Sequence, residues 1–582
     1  MIRTWSTRYL GLNEAKDILN RYWGYEEFRP LQSEIIASTM AGRDTLALLP
    51  TGGGKSICFQ VPAMLMPGIC LVISPLIALM KDQVANLQKR GIKALSVTSE
   101  LDASGLDAIF DRCIYEKDVK FLYLSPERLQ TELAKKRIAQ MNVNLLAVDE
   151  AHCISEWGYD FRPSYLDIAE IRPLMGGTPV LALTASATKV VVKDIQDRLS
   201  FEKHNVFQKS FQRENLAYFV DWDEDKLGKI ERIARKQQGS GIIYLRSRKG
   251  TERLCKALEQ RGINADFYHA GVDSKVRSEK QERWMRGDTQ IIIATNAFGM
   301  GIDKADVRFV IHCDLPDTLE NYYQECGRAG RDGEKAYAIA VLAQKDVDAF
   351  DEKAKRAFPE KKAIKDVYNG MCSLLNLAIG SGKDETFPVN LELLGDRIGM
   401  DVKSLHHCLR ILEQEGYIAM KERTFASSTV QVIAHHDAVY ELRQKGDRGG
   451  EMLDALLRSY PRLFEEETSI SEWNLAKRLK ITKDMVVEML GWLSNAGYIS
   501  YQESSDLPRV TFSCERLAIK NVRLSDEHYR LRKRIVKEKA EAMRDYITST
   551  HKCRSRLILE YFGEIDAPNC KVCDVCKNRA AS

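Results

Sequence analysis

Arg43-Asp-Thr-Leu-Ala-Leu-Leu-Pro-Thr-Gly-Gly-Gly-Lys-Ser-Ile-Cys-Phe-Gln60 is the stretch on which the fold of this chain turns. The apolar run Leu46 to Leu49 reads as a buried strand, three glycines form a loop, and the residues after Lys55 and Ser56 can be helical. Strand, glycine loop and helix is the arrangement that cradles phosphates. Gly52, Gly53 and Gly54 lack a Cβ, so the backbone can approach a phosphate and turn its N–H groups inward. The helix N-terminus adds partial positive charge. Thr51 closes the loop in front, Lys55 is placed for the β/γ-phosphates of ATP, and the Ser56 hydroxyl for Mg²⁺. The strict pattern with a glycine five residues before the last is not met, because Leu49 stands there.

Working outward, Cys70–Gln83 and Phe121–Leu129 each read as strand, Ser-Pro, helix. Val143–His152 is a third strand, ending in Asp149 and Glu150, and Thr178–Thr188 a fourth. Apolar strands alternating with helical segments predict a parallel α/β sheet with ligand loops at the strand ends. Placed one strand over from the glycine loop, Asp149 would hold Mg²⁺ and Glu150 would orient or deprotonate a water. Upstream, Tyr22, Trp23, Tyr25, Phe28, Arg29 and Gln32 offer the faces and the amide a purine pocket needs. A second parallel lobe follows in Gly241–Arg248, Phe267–Gly271, Gln290–Asp303 and Val307–His312, without a glycine loop and lysine of its own. Its contribution is Tyr323-Gln-Glu-Cys-Gly-Arg-Ala-Gly-Arg-Asp-Gly333. Arg328 and Arg331, three apart, would share one side of a helical turn and reach across a cleft to a γ-phosphate.

After the charged run Asp351–Lys362 comes an internal repeat. Arg397–Ile418 aligns with Arg478–Ile499 at a constant offset of 81. Each copy reads as helix, turn, helix and Gly-Tyr-Ile entering a strand. Hairpin-like continuations over Ile418–Ala434 and Ile499–Phe512 complete two winged-helix plans. Lys403, His406, His407 and Arg410 suit phosphates better than the matching stretch Thr482–Leu490 does. From Arg516 to Arg556 there are thirteen Lys/Arg against five Asp/Glu, a basic surface fit to track a nucleic-acid backbone. Cys553 and then Cys570-Lys-Val-Cys573-Asp-Val-Cys576 have the spacing of a closed, structural Cys₄ zinc site. Loss of zinc is expected to weaken DNA binding more than it alters the ATP site.

At 582 residues the chain must hold several domains. A net charge of +4 requires any nucleic-acid surface to be a local patch. No apolar run reaches the length of a membrane span and the start lacks a signal-peptide core. The ten scattered cysteines are expected to be buried reduced thiols and the protein cytosolic. The boundaries read from sequence are an ATP-binding lobe (1–208), a second lobe (209–350), linker and first winged helix (351–440), second winged helix (441–515) and basic zinc module (516–582).

The series Phe28–Gln32, Thr51–Ser56, Ser74–Gln83, Asp149–His152 and Leu183–Thr188 resembles superfamily 2 helicases, and Ala151-His-Cys-Ile-Ser-Glu-Trp-Gly-Tyr-Asp-Phe-Arg-Pro163 resembles the RecQ family of DNA helicases. The resemblance implies two RecA-like lobes, DNA-stimulated ATP hydrolysis and 3′→5′ unwinding of forked or branched DNA in recombination and repair. It implies that Tyr25 and Arg29 sandwich adenine, that Gln32 reads its edge, and that Asp303 approaches the ribose. Arg331 would be the arginine finger, supported by Arg328 and Gln324. Trp157, Phe161 and Arg162 would sense single-stranded DNA, with His152 relaying the signal. Leu31 stands where the family usually has glycine, a change expected to matter little, and Ser186 is a mild departure. Both winged-helix candidates precede the cysteines here, whereas the commonest RecQ layout has the zinc module directly after the motor. Partners on this reading are single-stranded and forked or branched DNA and a single-stranded DNA-binding protein, with the chain itself monomeric. Two alternatives keep some of these features: a translocase or annealing factor without strand separation, and a winged-helix regulator with a vestigial ATPase.

Overall fold

The computed structural model describes every residue except 1–11, 99–102, 130, 156, 159–160, 238, 300–301, 303, 357, 422–427, 445, 466, 504–506 and 582. The chain forms two compact units, Met1–Lys355 with Leu531–Ser582, and Arg356–Arg530.

The first unit contains both parallel sheets. One has seven strands in the order Lys93–Val97, Val119–Leu124, Ile69–Ile73, Val143–Val148, Val180–Thr184, Thr45–Leu48 and Val206–Gln208. Its central strands are buried along their whole length, as strands covered on both faces by crossover helices must be. The acid-bearing strand is therefore not beside the glycine-loop strand. Val180–Thr184 lies between them, pairing with both. Parallel strands all end at the same sheet edge, so Asp149 still emerges on the side of the glycine loop, with the polar end of Val180–Thr184 between. The second sheet has six parallel strands, Ala265–Tyr268, Ile291–Ala294, Ser240–Tyr244, Val307–His312, Ala336–Leu342 and Leu216–Trp222.

The cysteine-bearing C-terminal segment packs on these two lobes although the whole second unit separates them in sequence. Tyr546, on the helix Asp526–Thr548, packs against Tyr322 at 4.9 Å between ring centroids with the rings tilted by 52°, their hydroxyls 3.1 Å apart. Phe562 stacks on Phe211 at 4.4 Å. The Asp574 carboxylate accepts from the Val220 N–H (3.1 Å) and is gripped by Arg554. Residues up to Arg530 group with the second unit by their contacts. There Arg516 N–H donates to Ser381 O (2.8 Å) and Tyr529 Oη to Pro359 O (2.9 Å).

The second unit corrects the two-hairpin reading. Ile418–Lys421 does not pair with Ser428–Val432. It pairs antiparallel with Arg509–Phe512, Ile418 opposite Phe512, and Thr386–Pro388 completes that sheet. Ser428–Val432 pairs with Ile499–Gln502 and Thr468–Ile470. One winged helix is thus inserted into the wing of the other, and each return strand serves the copy that the hairpin reading did not give it. Core composition shows why: Val510 and Phe512 are buried with Ile418, Leu405 and Leu409, while Val430 and Val432 are buried with Ile499, Ile470 and Leu490. Thr429 stands opposite Gln502, so the inserted module enters and leaves at one place, which makes insertion topologically cheap. The repeat holds at backbone level. Gly399 and Lys480, 81 apart, both end their helix in the left-handed region, at φ 68° and 57°. His406 and Arg410 are exposed on the helix Val402–Gln414.

Of the ten scattered cysteines nine are buried and Cys514 is half-buried, all as free thiols. Among the described residues no helix is long and apolar enough to cross a membrane.

Candidate active site

The glycine loop leaves the strand Thr45–Leu48 and ends at the N-terminus of the helix Lys55–Leu65. Gly52 and Gly54 hold φ 79° and 76°, the left-handed region that glycine enters without strain. Gln32 ties the loop down: its Oε1 accepts from the Arg29 N–H (2.9 Å) and its Nε2 donates to the carbonyls of Gly53 (3.3 Å) and Gly54 (3.0 Å). Arg29 also donates to Gly52 O. Gln32 is buried, whereas Tyr25 and Arg29 are exposed beside it. Leu31 is not a neutral replacement for glycine. It sits at φ 71° at the start of the helix Gln32–Met40, where an L side chain is strained and glycine is not. Ser56 Oγ accepts from Gln83 Nε2 (3.4 Å), and Gln83 in turn accepts from Gln60 (3.2 Å). Sequence reasoning gave Gln83 no role, although it closes the Ser74–Gln83 segment.

Asp149 emerges at the end of Val143–Val148, where Tyr165 Oη donates to its carbonyl (3.1 Å). Burial and the Glu150 charge push the Asp149 carboxyl up to about 7, against the opposing pull of Lys55. A cation arriving between Ser56 and Asp149 would reverse that shift, as expected of a carboxylate built for a metal. Glu150 is buried at φ 47°, a strained backbone for a glutamate. Its Oε2 lies 3.3 Å from His152 Nδ1, and the same nitrogen lies 3.0 Å from Thr184 Oγ1. His152 is fully buried and joins the acid pair to the strand end that separates it from the glycine loop. Ser186 is buried, its N–H 3.5 Å from Thr184 Oγ1.

The aromatic-rich segment folds back on the acid strand. Arg162 N–H donates to Cys153 O (2.9 Å) and its guanidinium to Pro75 O (2.9 Å). Trp157 and Phe161 are half-buried. The Trp157 carbonyl accepts from Lys539 of the C-terminal module at 2.8 Å.

Across the cleft, the helix Leu319–Cys326 carries half-buried Gln324 and stops before the two arginines, so they do not share a helical turn. Arg328 is buried, close to Gly299 and among the charges around Glu325. Arg331 crosses to the first lobe. A Cβ added to Gly52 would meet Arg331 Cγ at 3.1 Å, and one added to Gly327 would meet Thr51 Oγ1 at 3.1 Å. Arg331 Nη1 donates to Ile302 O (2.7 Å). Three further residues position this segment. Arg213 donates to Ala329 O and Gly330 O (2.9 Å each), Asn215 to Gly330 O (2.7 Å), and Glu325 accepts from His312 at 2.7 Å. Arg213 and Asn215 are signalled in the sequence only by the polar run Gln212–Asn215 at the lobe junction, and His312 by none. Asp303 lies outside the described residues.

The residues fit the implied groups. Thr51 Oγ1 and Arg328 Nε are buried with no hydrogen-bond partner among the described residues, both at the junction of the two lobes. Cysteines 553, 570, 573 and 576 bring their sulfurs within 4.8 Å of one another. That is close to the roughly 3.8 Å separation that Zn–S bonds of about 2.3 Å impose on a tetrahedron. N–H groups of residues 570 and 573 point at Cys553 Sγ and Cys570 Sγ (3.2 and 3.4 Å), supporting thiolate charge.

Comparison with known proteins gives four family-model matches: DEAD/DEAH box helicase over residues 29–195, Helicase conserved C-terminal domain over 225–333, RecQ helicase winged-helix domain, Bacteroidota, over 430–503, and RecQ zinc-binding over 506–577. The third coincides with the inserted module. Similar proteins include the ATP-dependent DNA helicase RecQ of Bacillus subtilis, 43% identical over 342 residues (58% of this chain, 57% of that protein). The Pasteurella multocida protein of the same name is 41% identical over 333 residues (57% and 52%). The probable ATP-dependent DNA helicase RecS of B. subtilis is 39% identical over 346 residues (59% and 69%). The chain spans a little over half the length of the first two.

Proposed function

The chain belongs to the RecQ family of superfamily 2 helicases, and on that footing we propose that it is an ATP-dependent DNA helicase that moves 3′→5′ on single-stranded DNA and separates forked or branched duplexes. The observation that carries the proposal is the Arg331 side-chain stem lying over Gly52, which sets this arginine of the second lobe against the phosphate loop of the first. On this reading the loop N–H groups and Lys55 hold the β- and γ-phosphates. Mg²⁺ held by Ser56 and Asp149 would neutralise charge on those phosphates. Glu150 orients the attacking water and takes its proton, and Arg331 stabilises charge developing on the γ-phosphoryl oxygens, with Arg328 and Gln324 behind it. Tyr25 and Arg29 receive the adenine. Gln32 acts through the loop it ties down as well as through the base. His152 passes the state of the Trp157–Arg162 segment to Glu150 and Thr184.

Cleft closure and reopening would step the lobes along a strand. Opening one base-pair step costs on the order of 1.4 kcal/mol, well within one ATP turnover. Lys533, Arg534 and Lys537, exposed on one face of the long C-terminal helix, are suited to backbone phosphates. The protein works on this reading as a cytosolic monomer. Lys55→Ala and Glu150→Gln are expected to abolish DNA-stimulated ATP hydrolysis. Strand displacement on tailed DNA and RNA duplexes, with and without ATP, tests the substrate. ATP-dependent movement without displacement would identify a translocase or annealing factor, and near-normal turnover in either variant would remove the motor assignment.

A further inference from the structure

Lys539 projects from the helix Asp526–Thr548 into the seam between the lobes. Its ammonium donates to the Trp157 carbonyl of the first lobe (2.8 Å) and pairs with Glu320 Oε1 of the second (3.1 Å). Both side chains are withdrawn from solvent, at 13% and 3% exposure. Glu320 lies in the first turn of Leu319–Cys326, the helix that precedes the turn carrying Arg328 and Arg331. Burial, and after it the neighbouring Glu320 charge, pushes the Tyr561 hydroxyl of the same C-terminal module up. Trp157 lies in the segment anchored by Arg162 to Pro75 and Cys153, next to the acid pair.

A buried ammonium is tolerated only while its donors are satisfied. Here one partner is a carboxylate on the helix leading to the two arginines and the other a backbone carbonyl on the aromatic segment. The carbonyl serves only in the backbone conformation that turns Trp157 O toward the seam. A change in that segment therefore removes an acceptor from the charge that also holds the helix leading to the arginines. We propose that Lys539 is a positioning residue that couples the aromatic-rich segment to the helix Leu319–Cys326 and the Arg328/Arg331 turn that follows it, so that the zinc module is a working strut of the motor. The proposal rests on the reading of that segment as the sensor of single-stranded DNA. The energetic link is one shared cation between two elements, each with its own conformational states.

The test uses the full chain and single-stranded DNA. Lys539→Met keeps the length and removes the charge, Lys539→Arg keeps the charge, and Glu320→Gln removes the partner's. ATP turnover is measured without DNA and at saturating oligonucleotide, alongside the thermal midpoint. The Trp157 emission response to DNA is taken as the difference between the native chain and Trp157→Phe. Lys539→Met is expected to leave DNA-independent turnover within about twofold and to cut DNA stimulation at least tenfold. Lys539→Arg should restore most of it. Adding Glu320→Gln to Lys539→Met should cause little further loss, because both act through one contact. Should Lys539→Met unfold, Glu320→Gln and the doubly neutral pair carry the same comparison. Unchanged stimulation in the folded charge variants, with the Trp157 response intact, overturns the coupling alone. Absence of any Trp157 response in the native chain overturns the sensor reading and the coupling with it.

Discussion

Replacing Gly54 by alanine separates two demands the glycine loop places on that position. The residue sits at φ 76°, where an L side chain costs about 1–2 kcal/mol. The added Cβ would also stand 2.5 Å from Gln32 Nε2, so the carboxamide must leave. Its bonds to Gly53 O and Gly54 O would go with it, at about 0.5–1.5 kcal/mol each. Restoring the phosphate-binding loop then costs about 2–5 kcal/mol, a loss of nucleotide affinity of about 30-fold to several thousandfold at 1.4 kcal/mol per decade. In a Gln32→Ala background no carboxamide is in the way, and Gly54→Ala should cost only the backbone strain of about 1–2 kcal/mol. Titrating a non-hydrolysable ATP analogue into the four proteins of this cycle measures the difference directly. Gly42→Ala is the control, since Gly42 has φ 74° and nothing within 4 Å of the added atom, and should leave affinity unchanged. Equal losses from Gly54→Ala in both backgrounds would refute the role given to Gln32.

Leu31→Gly should give a protein more stable than Leu31→Ala by about 0.5–1 kcal/mol, since both lose the side chain and only glycine relaxes at φ 71°; chemical denaturation followed by a first-lobe probe checks the order. Chelating zinc, or Cys573→Ser, should lower ATP turnover as well as DNA affinity, contrary to the expectation from sequence, because Asp574 and Glu564 of the zinc module bond the second lobe and the lobe junction at Val220 and Phe211; retained turnover in zinc-free protein would contradict it. Burial works to raise the Glu325 carboxyl, but Arg246, His312 and Arg328 hold it below its ordinary value of 4.5. Its contribution to stability should therefore be complete above that value and be lost as pH falls through the lower folded-state pKa. Glu325→Gln should flatten the acid limb of the thermal midpoint measured from about pH 6 to about pH 3.

The local chemistry was legible because it is carried by residues close together in the chain. Three glycines before Lys55 and Ser56, two acids closing an apolar strand and three cysteines at fixed spacing each name a task without knowledge of where the chain goes next. The helix–turn–helix repeat was legible too, since an offset of 81 preserves apolar faces and even the left-handed turn at Gly399 and Lys480. What the spacing could not give was which strand completes which sheet. Ile418–Lys421 and Ile499–Gln502 have equally plausible sequence neighbours, and only the burial of Val510 and Phe512 in one core and of Val430 and Val432 in the other selects the nested pairing. Strand order was likewise hidden, because a buried parallel strand carries no mark of its neighbours, and Val180–Thr184 came to lie between the acids and the glycine loop. The zinc module's place on the motor and Lys539 between Trp157 and Glu320 join residues far apart in sequence. Sequence by itself determined the reacting groups, since those depend on side-chain type and short spacing. Their mutual positions were decided by tertiary structure, since those depend on which distant surfaces exclude water together.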